Sequence, residues 1–476
     1  MVFSSSIFLF LFLPIILLLY FLIRKDCRNI LLLLASIVFY AWGEPRIVLV
    51  MLASILINYL CGLWINFANR NYRPKARILI LILTIVLDLA PLFYFKYLDF
   101  FMANVNGLFN LSIPLANIAL PIGISFFTFQ GMSYVFDLYL GNVKVQKNPL
   151  NIALYIALFP QLVAGPIVRY STIAEQIINR KETLEDFSSG IVRFIYGLGK
   201  KVILANSFAI IADKAFNNIQ FPTLSVGMAW LGMVCYTFQI FFDFSGYSDM
   251  AIGLGKMFGF HFDENFNYPY ISKSISEFWR RWHISLGTWF RDYVYFPLGG
   301  SRVETKRRLI FNLFVVWTLT GVWHGASWNF VIWGLMYFVL LTFEKLTGIP
   351  DRFNSKWQRG LYRIFTLLCI MFGWVIFRSV GLHNGLNYIL SMFSLKGNPL
   401  LNNETVFLFK DNLVLLLLGV VFSMPIIKKI KDLFDKNKRL SMIKGIFKVI
   451  FVSILFVLCI SYCINGSYNP FIYFNF

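Results

Sequence analysis

Apolar runs long enough to cross a lipid bilayer recur along the whole chain, and they leave few fold classes open. A transmembrane helix needs about 20 consecutive apolar residues, and the first such run extends from Val2 to Ile23. Of the 476 residues, 14% are charged, whereas soluble domains carry about 25%. Because backbone amides in lipid must be satisfied within the protein, the sequence predicts an all-α polytopic membrane protein without a separate soluble domain.

The first apolar run has no basic residue before it and no small-residue cleavage site after it. We therefore expect it to be retained as a first helix rather than removed as a signal peptide. The net charge is +20, and the basic residues lie in short segments between apolar runs. This placement is typical of the positive-inside bias and of contact with anionic lipid, and it argues against nucleic acid as a partner.

Basic and neutral connections alternate along the chain, and this alternation predicts the sidedness of the helices. The segments 24–28, 70–77 and 302–308 are rich in lysine and arginine, so we place them on the cytoplasmic side. The same alternation puts the N-terminus and the C-terminus outside, with about ten to twelve spanning segments between them.

Several stretches differ from uninterrupted spans. Asp88 and Pro91 interrupt a predicted helix over about 78–98, so we expect a kink there, then a loop over 99–112 and a helix over about 114–140. Irregular backbone at membrane depth must be covered by protein or water. Three broken or mixed stretches are therefore candidates for re-entrant elements around a cavity: Asn151 to Ile167, Tyr170 to Ser189 and His261 to Gly300.

His324 is the first candidate catalytic residue. It lies in the stretch GVWHGASWN, and between Arg308 and Glu344 there is no Asp, Glu, Lys or Arg. An ionisable side chain within a membrane segment is a functional hypothesis by default, and a neutral imidazole can serve as general base toward a hydroxyl. The glycines allow close helix packing, while Trp323 and Trp328 could wall a pocket. The alternative is a hydrogen-bonded structural histidine or one that lines a gate.

An arginine-rich stretch precedes the basic segment 302–308 and is therefore expected on the cytoplasmic side. It reads FWRRWHISLGTWFRDYVYFPLGG. Arginine is suited to bidentate phosphate recognition, so the stretch is compatible with an anionic donor such as a coenzyme A thioester. An interfacial amphipathic helix with its arginines among headgroups is the alternative. The residues singled out are Arg280, Arg281, His283 and Arg291, with the pair of Arg291 and Asp292 expected to be structural.

A third polar stretch lies within an otherwise apolar helix and includes Gln239, Asp243 and Asp249. Buried carboxylates need partners, and we expect them to pair with Arg280, Arg281 or Lys256, or to orient a histidine. His261 and His383 are expected to be solvent-exposed.

Known catalytic and metal motifs are missing from the sequence. The chain contains no GxSxG, HExxH or GxxxxGK[ST] motif, and its six cysteines form no metal-type CxxC. We therefore predict no metal site and no disulfide framework. A serine nucleophile, if the reaction uses one, would belong to another protein.

Taken together, the motifs resemble the membrane-bound O-acyltransferase family, and within it the bacterial alginate O-acetyltransferase type. The resemblance extends over nearly the whole chain in order. The motifs that carry it are PIGISFFTFQGMSYVFDLY, FPQLVAGPIVRY, FDFSGYSDMAIGLGKMFGF, FWRRWHISLGTWFRDYVYFPLGG, WHGASWN and the ending NPFIYF.

The resemblance implies a ring of tilted helices around a central funnel, within one integral-membrane domain over 1–476. N-terminal helices would occupy 1–140, a core with the re-entrant segments 141–345, and C-terminal helices 346–476. The family's catalytic histidine falls on His324 and its second histidine on His283. Substrate contacts are expected from the three arginines and from Trp323, Asn329, Gln239 and Asp243.

The function that follows is acetyl transfer from cytosolic acetyl-CoA, a substrate rather than a cofactor, across the bacterial cytoplasmic (inner) membrane. The acceptor would be an extracellular or cell-wall polysaccharide, reached through an extracytoplasmic serine-type acetyltransferase partner. One alternative is D-alanyl transfer to teichoic acid from a carrier-protein thioester. Another is a transporter for the polysaccharide or its precursor, although the few intramembrane charges and the lack of an internal repeat disfavour it.

Overall fold

The computed structural model describes residues 1–217, 224–349, 351–435, 438–465, 468, 469 and 472, and every regular element in this part of the chain is helical. The α-helices, numbered in chain order, are α1 (Leu13–Leu22), α2 (Arg28–Ala41), α3 (Val48–Arg70), α4 (Pro74–Leu92), α5 (Leu98–Phe109), α6 (Ile124–Leu140), α7 (Pro149–Ala157), α8 (Phe159–Leu162), α9 (Tyr170–Asn179), α10 (Leu184–Gly199), α11 (Asn206–Asn217), α12 (Val226–Met257), α13 (Ile275–Arg281), α14 (Ile284–Phe290), α15 (Lys306–His324), α16 (Trp328–Thr347), α17 (Lys356–Arg378), α18 (Leu382–Met392), α19 (Asn403–Asp411), α20 (Leu413–Ser423), α21 (Ile426–Asp435) and α22 (Lys438–Asn465).

Membrane-spanning helices confirm the predicted class. Among the described residues, seven helices are long and apolar enough to cross a membrane, or eight if α19 and α20, which meet at 57°, form one broken span. The expected total was about ten to twelve. Other predicted spans are shorter, such as the apolar helix Phe8–Leu22, which begins with the π-helical segment Phe8–Phe12.

The region around Pro91 departs from the prediction. Instead of ending in a loop, α4 passes through a π-helical segment, Phe93–Tyr97, into α5, which continues to Phe109. A polar side chain of the predicted loop is accommodated within this helix, where Asn104 Nδ2 donates to the carbonyl oxygen of Phe100 at 2.7 Å. The helix expected from about 114 begins only at Ile124, after an irregular stretch.

The three predicted re-entrant stretches do form short helices with breaks between them. α7 and α8 are separated at Leu158, one residue before a helix with proline in its first turn. α13 and α14 are separated by Trp282 and His283 and followed by the π-helical segment Arg291–Tyr295. Whether these elements surround a cavity stays a prediction.

Contacts divide the chain into two compact units, one of Met1–Phe194 with Ser248–Asp263 and the other of Ile195–Tyr247 with Glu264–Phe476. In the first unit, the buried carboxylate of Asp88 accepts hydrogen bonds from Ser54 Oγ at 3.0 Å and Asn58 Nδ2 at 2.9 Å. These contacts satisfy the charge that interrupts the apolar sequence of α4. Every candidate site residue lies in the second unit, whose core is rich in aromatic side chains.

Candidate active site

His324 is the last residue of α15, at a sharp hairpin with α16. Gly325 and Ser327 are both extended, and α16 begins one residue later at Trp328. The side chain is buried, with 7% exposure. Because the helix stops at His324, the imidazole is held at a fixed point between two packed helices.

Two glycines bring the arms of this hairpin together. A Cβ atom added to Gly321 would lie 2.6 Å from the carbonyl oxygen of Phe330, and one added to Gly334 would lie 2.4 Å from that of Trp317. Backbone atoms at those distances cannot give way without moving a helix. The close packing that the sequence predicted for GVWHGASWN is confirmed at Gly321, and Gly334, outside that stretch, is a second position that requires hydrogen as the side chain.

Three aromatic rings surround the His324 imidazole edge to face. The ring centroids lie 4.9 Å away for Trp323, 5.0 Å for Trp333 and 5.1 Å for Phe377. Trp323 therefore packs against the histidine, whereas Trp328 is 54% exposed and Trp333 on α16 supplies the second indole. That Trp323 and Trp328 wall a pocket stays a prediction. The contribution of Phe377 had no signal in the sequence, because it comes from α17.

His283 lies between α13 and α14 in a left-handed backbone conformation, with φ at 45°. Such a conformation in a residue with a side chain costs about 1–3 kcal/mol and is concentrated at functional sites. The imidazole is 2% exposed, and burial lowers its pKa to about 3. Desolvation disfavours the charged form, so His283 is neutral at physiological pH.

Trp323 links the two histidines. Its ring centroid lies 5.9 Å from that of His283 and 4.9 Å from that of His324. The structure thus brings the two predicted histidines together, although they lie on different elements.

The three arginines of the predicted donor-binding stretch differ in their ion pairs. Arg281 pairs with Glu277 at 2.8 Å, and Arg291 pairs with Asp292 at 2.7 Å, as predicted for the latter. Arg280 is exposed on α13. Arg291 is also exposed, but of the three only Arg280 forms no ion pair with a described residue.

A buried carboxylate anchors the arginine-rich helix. Glu344 on α16 accepts the backbone N–H groups of Ile275 at 2.7 Å and Ser276 at 2.8 Å, and the Tyr362 hydroxyl donates to it at 2.9 Å. These bonds satisfy amides at the start of α13 that have no helical partner. Sequence reasoning missed Glu344, since nothing local connects it with residues 275 and 276.

Asp243 is buried in an ion pair, but its partner is not one of the expected residues. Lys201 Nζ lies 2.6 Å from its Oδ1, with both side chains 2% exposed, and the backbone N–H of Ile472 donates to Oδ2 at 2.9 Å. In the other unit, Asp249 pairs with Arg193 at 2.8 Å. The predicted pairing with Arg280, Arg281 or Lys256 was therefore wrong, because the partner cations come from α10 and from the π-helical segment Lys200–Ala205 that follows it.

Asn329 and Gln239 are also buried. Asn329 Nδ2 donates to the carbonyl oxygens of Ile376 at 3.3 Å and Ser379 at 3.1 Å, so it ties the start of α16 to the end of α17. Gln239 lies on α12 one turn before Asp243, and its Oε1 accepts no hydrogen bond from the described residues. His261 and His383 are exposed, as expected.

No group of three or more His, Cys, Asp or Glu side chains that could hold a metal occurs in the part of the chain that the structure describes. All six cysteines are free thiols. In the ending NPFIYF, Pro470, Phe471, Tyr473 and Phe474 lie outside the described residues.

Comparison with known proteins gives a consistent result. The model of the membrane-bound O-acyltransferase family, MBOAT, matches residues 140–380. The probable alginate O-acetylase AlgI of Pseudomonas putida is 46% identical, over 83% of this chain and 80% of the relative. The peptidoglycan O-acetyltransferase of Helicobacter pylori is 33% identical over 100% of this chain and 98% of the relative. The teichoic acid D-alanyltransferase of Bacillus subtilis is 32% identical over 57% of this chain and 72% of the relative.

Proposed function

The chain belongs to the membrane-bound O-acyltransferase family, and we propose that it moves an acetyl group from cytosolic acetyl-CoA across the membrane for O-acetylation of a polysaccharide outside the cytoplasm. Two relatives are named for O-acetylation, and the match to this chain spans 80% of the length of one and 98% of the length of the other. The multiple apolar helices agree with a multi-pass enzyme in a bacterial membrane. The proposed location is the cytoplasmic (inner) membrane, with both termini outside, which rests on the alternation of basic segments.

The observation that carries the proposal is the position of His324. The neutral form of a buried imidazole, fixed between Trp323, Trp333 and Phe377 at a helix end, is suited to take a proton from one hydroxyl in one orientation. As that hydroxyl oxygen bonds to the thioester carbonyl carbon, the carbon–sulfur bond breaks. The proton held by His324 then passes to the departing thiolate, so the products are an ester and a free thiol.

The other candidate residues take supporting roles in this proposal. His283 helps to position the thioester, and Arg280, Arg281 and Arg291 contact the phosphates of the donor or close the cytoplasmic rim. Gln239 is the candidate for a substrate contact on α12, since its Oε1 is buried and not bonded within the described residues. Trp323 orients the two histidines. Asn329 and Asp243 hold the framework through the bonds given above.

The acyl group is proposed to pass to an extracytoplasmic serine-type acetyltransferase and from it to the polymer. The support is the absence of a GxSxG motif from the sequence. The whole chain acts as one integral-membrane domain, with N-terminal helices over 1–140, a catalytic core over 141–345 and C-terminal helices over 346–476.

Incubation of the purified protein with acetyl-labelled acetyl-CoA and a hydroxyl acceptor tests the proposal. Wild type should transfer the label, and His324→Ala should lower the rate by about 100-fold or more. His383→Ala, on an exposed histidine of α18, is the matched control and should retain the wild-type rate. Equal rates for His324→Ala and wild type would remove His324 from the reaction.

D-alanyl transfer is the second candidate, favoured by the similarity to a teichoic acid D-alanyltransferase. That similarity covers 57% of this chain, whereas the peptidoglycan O-acetyltransferase is matched over 100%. Offering a D-alanyl carrier-protein thioester in the same assay separates the two. Transfer of alanine but not acetate would replace the acetyl proposal. A transporter is set aside by membership of an acyltransferase family.

A further inference from the structure

The backbone on either side of His283 is held by a neighbouring segment that begins at Asn265. The N–H of Ile284 donates to the carbonyl oxygen of Asn265 at 3.0 Å, and the N–H of Asn267 donates to that of Arg281 at 2.9 Å. These two bonds brace the chain on both sides of the left-handed residue. They also place the side chain of Asn265, which is 1% exposed, beside the imidazole.

The orientation of the Asn265 amide is determined by a backbone donor. Asn265 Oδ1 accepts the N–H of Ser285 at 3.1 Å and the Ser285 hydroxyl at 2.9 Å. Since a backbone N–H can only donate, the atom that faces it must be the amide oxygen and not the amide nitrogen. The assignment therefore does not depend on distinguishing oxygen from nitrogen by their positions alone.

The same oxygen lies 3.2 Å from His283 Nδ1. An amide oxygen only accepts, so Nδ1 must carry the proton for this hydrogen bond to form. The Ser285 hydroxyl is farther from Nδ1, at 3.5 Å, and its single proton is directed to Asn265. A neutral imidazole has one N–H, so the lone pair is on Nε2.

His283 Nε2 is buried and has no hydrogen-bond partner among the described residues. The imidazole meets Phe244 edge to face, with centroids 4.6 Å apart, and meets Trp323 at 5.9 Å. A buried acceptor without a donor is unfavourable, because it has lost its hydrogen bonds to water and gained none in return. A donor group on a bound molecule, next to the ring that also contacts His324, would remove that cost.

We propose that Asn265 is a positioning residue that holds His283 as its Nδ1-protonated tautomer, so that Nε2 accepts a hydrogen bond from an N–H or O–H of a substrate. This assignment rests on the proposed function, because it gives His283 a role within that reaction. It also means that His283 does not donate to the thioester carbonyl oxygen, since its only N–H is held by Asn265. The single proton of the attacking hydroxyl goes to His324, so the donor to Nε2 is either an amide N–H of the acetyl-CoA molecule or another O–H or N–H group of the acceptor.

Nitrogen-15 spectroscopy of the full-length protein, labelled in its histidines, reads the tautomer directly. The chain has 4 histidines, and His283→Gln identifies the signals of His283 by their loss. The expected wild-type pattern is a protonated Nδ1 and an unprotonated Nε2. A protonated Nε2 in the wild type would overturn the proposal without any variant.

Three substitutions then test the part played by Asn265. Asn265→Asp keeps an oxygen in place and should keep Nδ1 protonated, whereas Asn265→Leu removes the acceptor and should shift the proton wholly or partly to Nε2. Asn267→Ala is the matched control, because Asn267 is exposed and contacts the His283 segment through its backbone. An unchanged Nδ1 proton in Asn265→Leu would remove Asn265 from this role.

Acetyl transfer by Asn265→Leu separates the two possible donors. A rise of about threefold or more in KM for acetyl-CoA with kcat unchanged indicates an amide of acetyl-CoA, and the same rise in KM for the hydroxyl acceptor indicates a group of the acceptor. A shifted tautomer with neither change would contradict the positioning role. If wild type shows the Nδ1-protonated pattern but transfers no acetyl group, the proposed function fails while the tautomer stands.

Discussion

The imidazole of His324 and the indole of Trp333 meet edge to face, with ring centroids 5.0 Å apart and ring planes at 80°. Trp333 is fully buried on α16, so its ring restricts the orientation of the imidazole from a helix other than the one that carries it. Orientation matters because general base catalysis needs the accepting nitrogen within hydrogen-bond reach of the hydroxyl.

Trp333→Phe should lower the turnover number about tenfold, which corresponds to about 1.4 kcal/mol. The smaller ring leaves space in which the imidazole can take other orientations. Label transfer from acetyl-CoA measures the effect, and melting of the detergent-solubilised protein checks that the fold is retained. Trp328→Phe, on the 54% exposed neighbour, should be near wild type; equal turnover in both variants would contradict the orienting role of Trp333.

The packing of the hairpin gives a second prediction, from a comparison of one tightly packed glycine with one that faces open space. In Gly334→Ala the added Cβ would lie 2.4 Å from the Trp317 carbonyl oxygen, whereas a Cβ at Gly360 meets nothing within 4 Å. Alanine is favoured over glycine within a helix by about 1 kcal/mol, so Gly360→Ala should raise the melting temperature. Gly334→Ala should lower both melting temperature and acetyl transfer. Equal stability of the two variants would mean that α15 and α16 separate at little cost.

The helical class and the burial of His324 within an apolar hairpin were predictable from sequence, because both signals are local. Apolar runs report on helices one at a time, and His324 is conspicuous since no charged residue lies near it in the chain. The long-range contacts were not predictable, because Phe377 reaches His324, Glu344 reaches the start of α13 and Lys201 reaches Asp243 from distant parts of the chain. The expected loop over 99–112 was wrong for a different reason: polar residues such as Asn104, whose side chain bonds the carbonyl oxygen of Phe100, also occur within helices.

The ion pair of Lys201 and Asp243 carries a third prediction. Both side chains are 2% exposed, and removal of one partner from a buried pair costs about 3–5 kcal/mol, mostly through the uncompensated charge that is left. Lys201→Met should therefore lower the melting temperature strongly. The double variant Lys201→Met with Asp243→Asn should be more stable than Lys201→Met alone, because no charge remains. If the double variant loses as much stability as Lys201→Met and Asp243→Asn lose together when measured singly, the two residues do not interact.

The burial of His283 gives a pH dependence of stability. The folded pKa is about 3 and the unfolded value about 6.5, so as pH falls below 6.5 the unfolded state binds a proton that the folded state does not. Unfolding is then favoured, and this contribution to stability falls by about 1.4 kcal/mol between pH 7.5 and 5.5. His283→Gln should lose less stability than wild type over that interval. His261→Gln, on an exposed histidine, should follow wild type; parallel pH profiles for all three proteins would mean that His283 titrates normally.

The accessible guanidinium of Arg280 leads to the last prediction. Arg281 and Arg291 each pair with a neighbouring carboxylate, whereas Arg280, which is exposed on α13, forms no ion pair with a described residue. If it contacts the phosphates of acetyl-CoA, Arg280→Ala should raise KM for the donor about threefold to tenfold, with kcat nearly unchanged, because the contact is equal in ground state and transition state. The effect should shrink as ionic strength rises. Arg359→Ala removes an exposed arginine that bonds the backbone oxygens of Asn354 and Ser355, and it should leave KM unaltered. The same rise in both variants would indicate a general effect of surface charge rather than a contact made by Arg280.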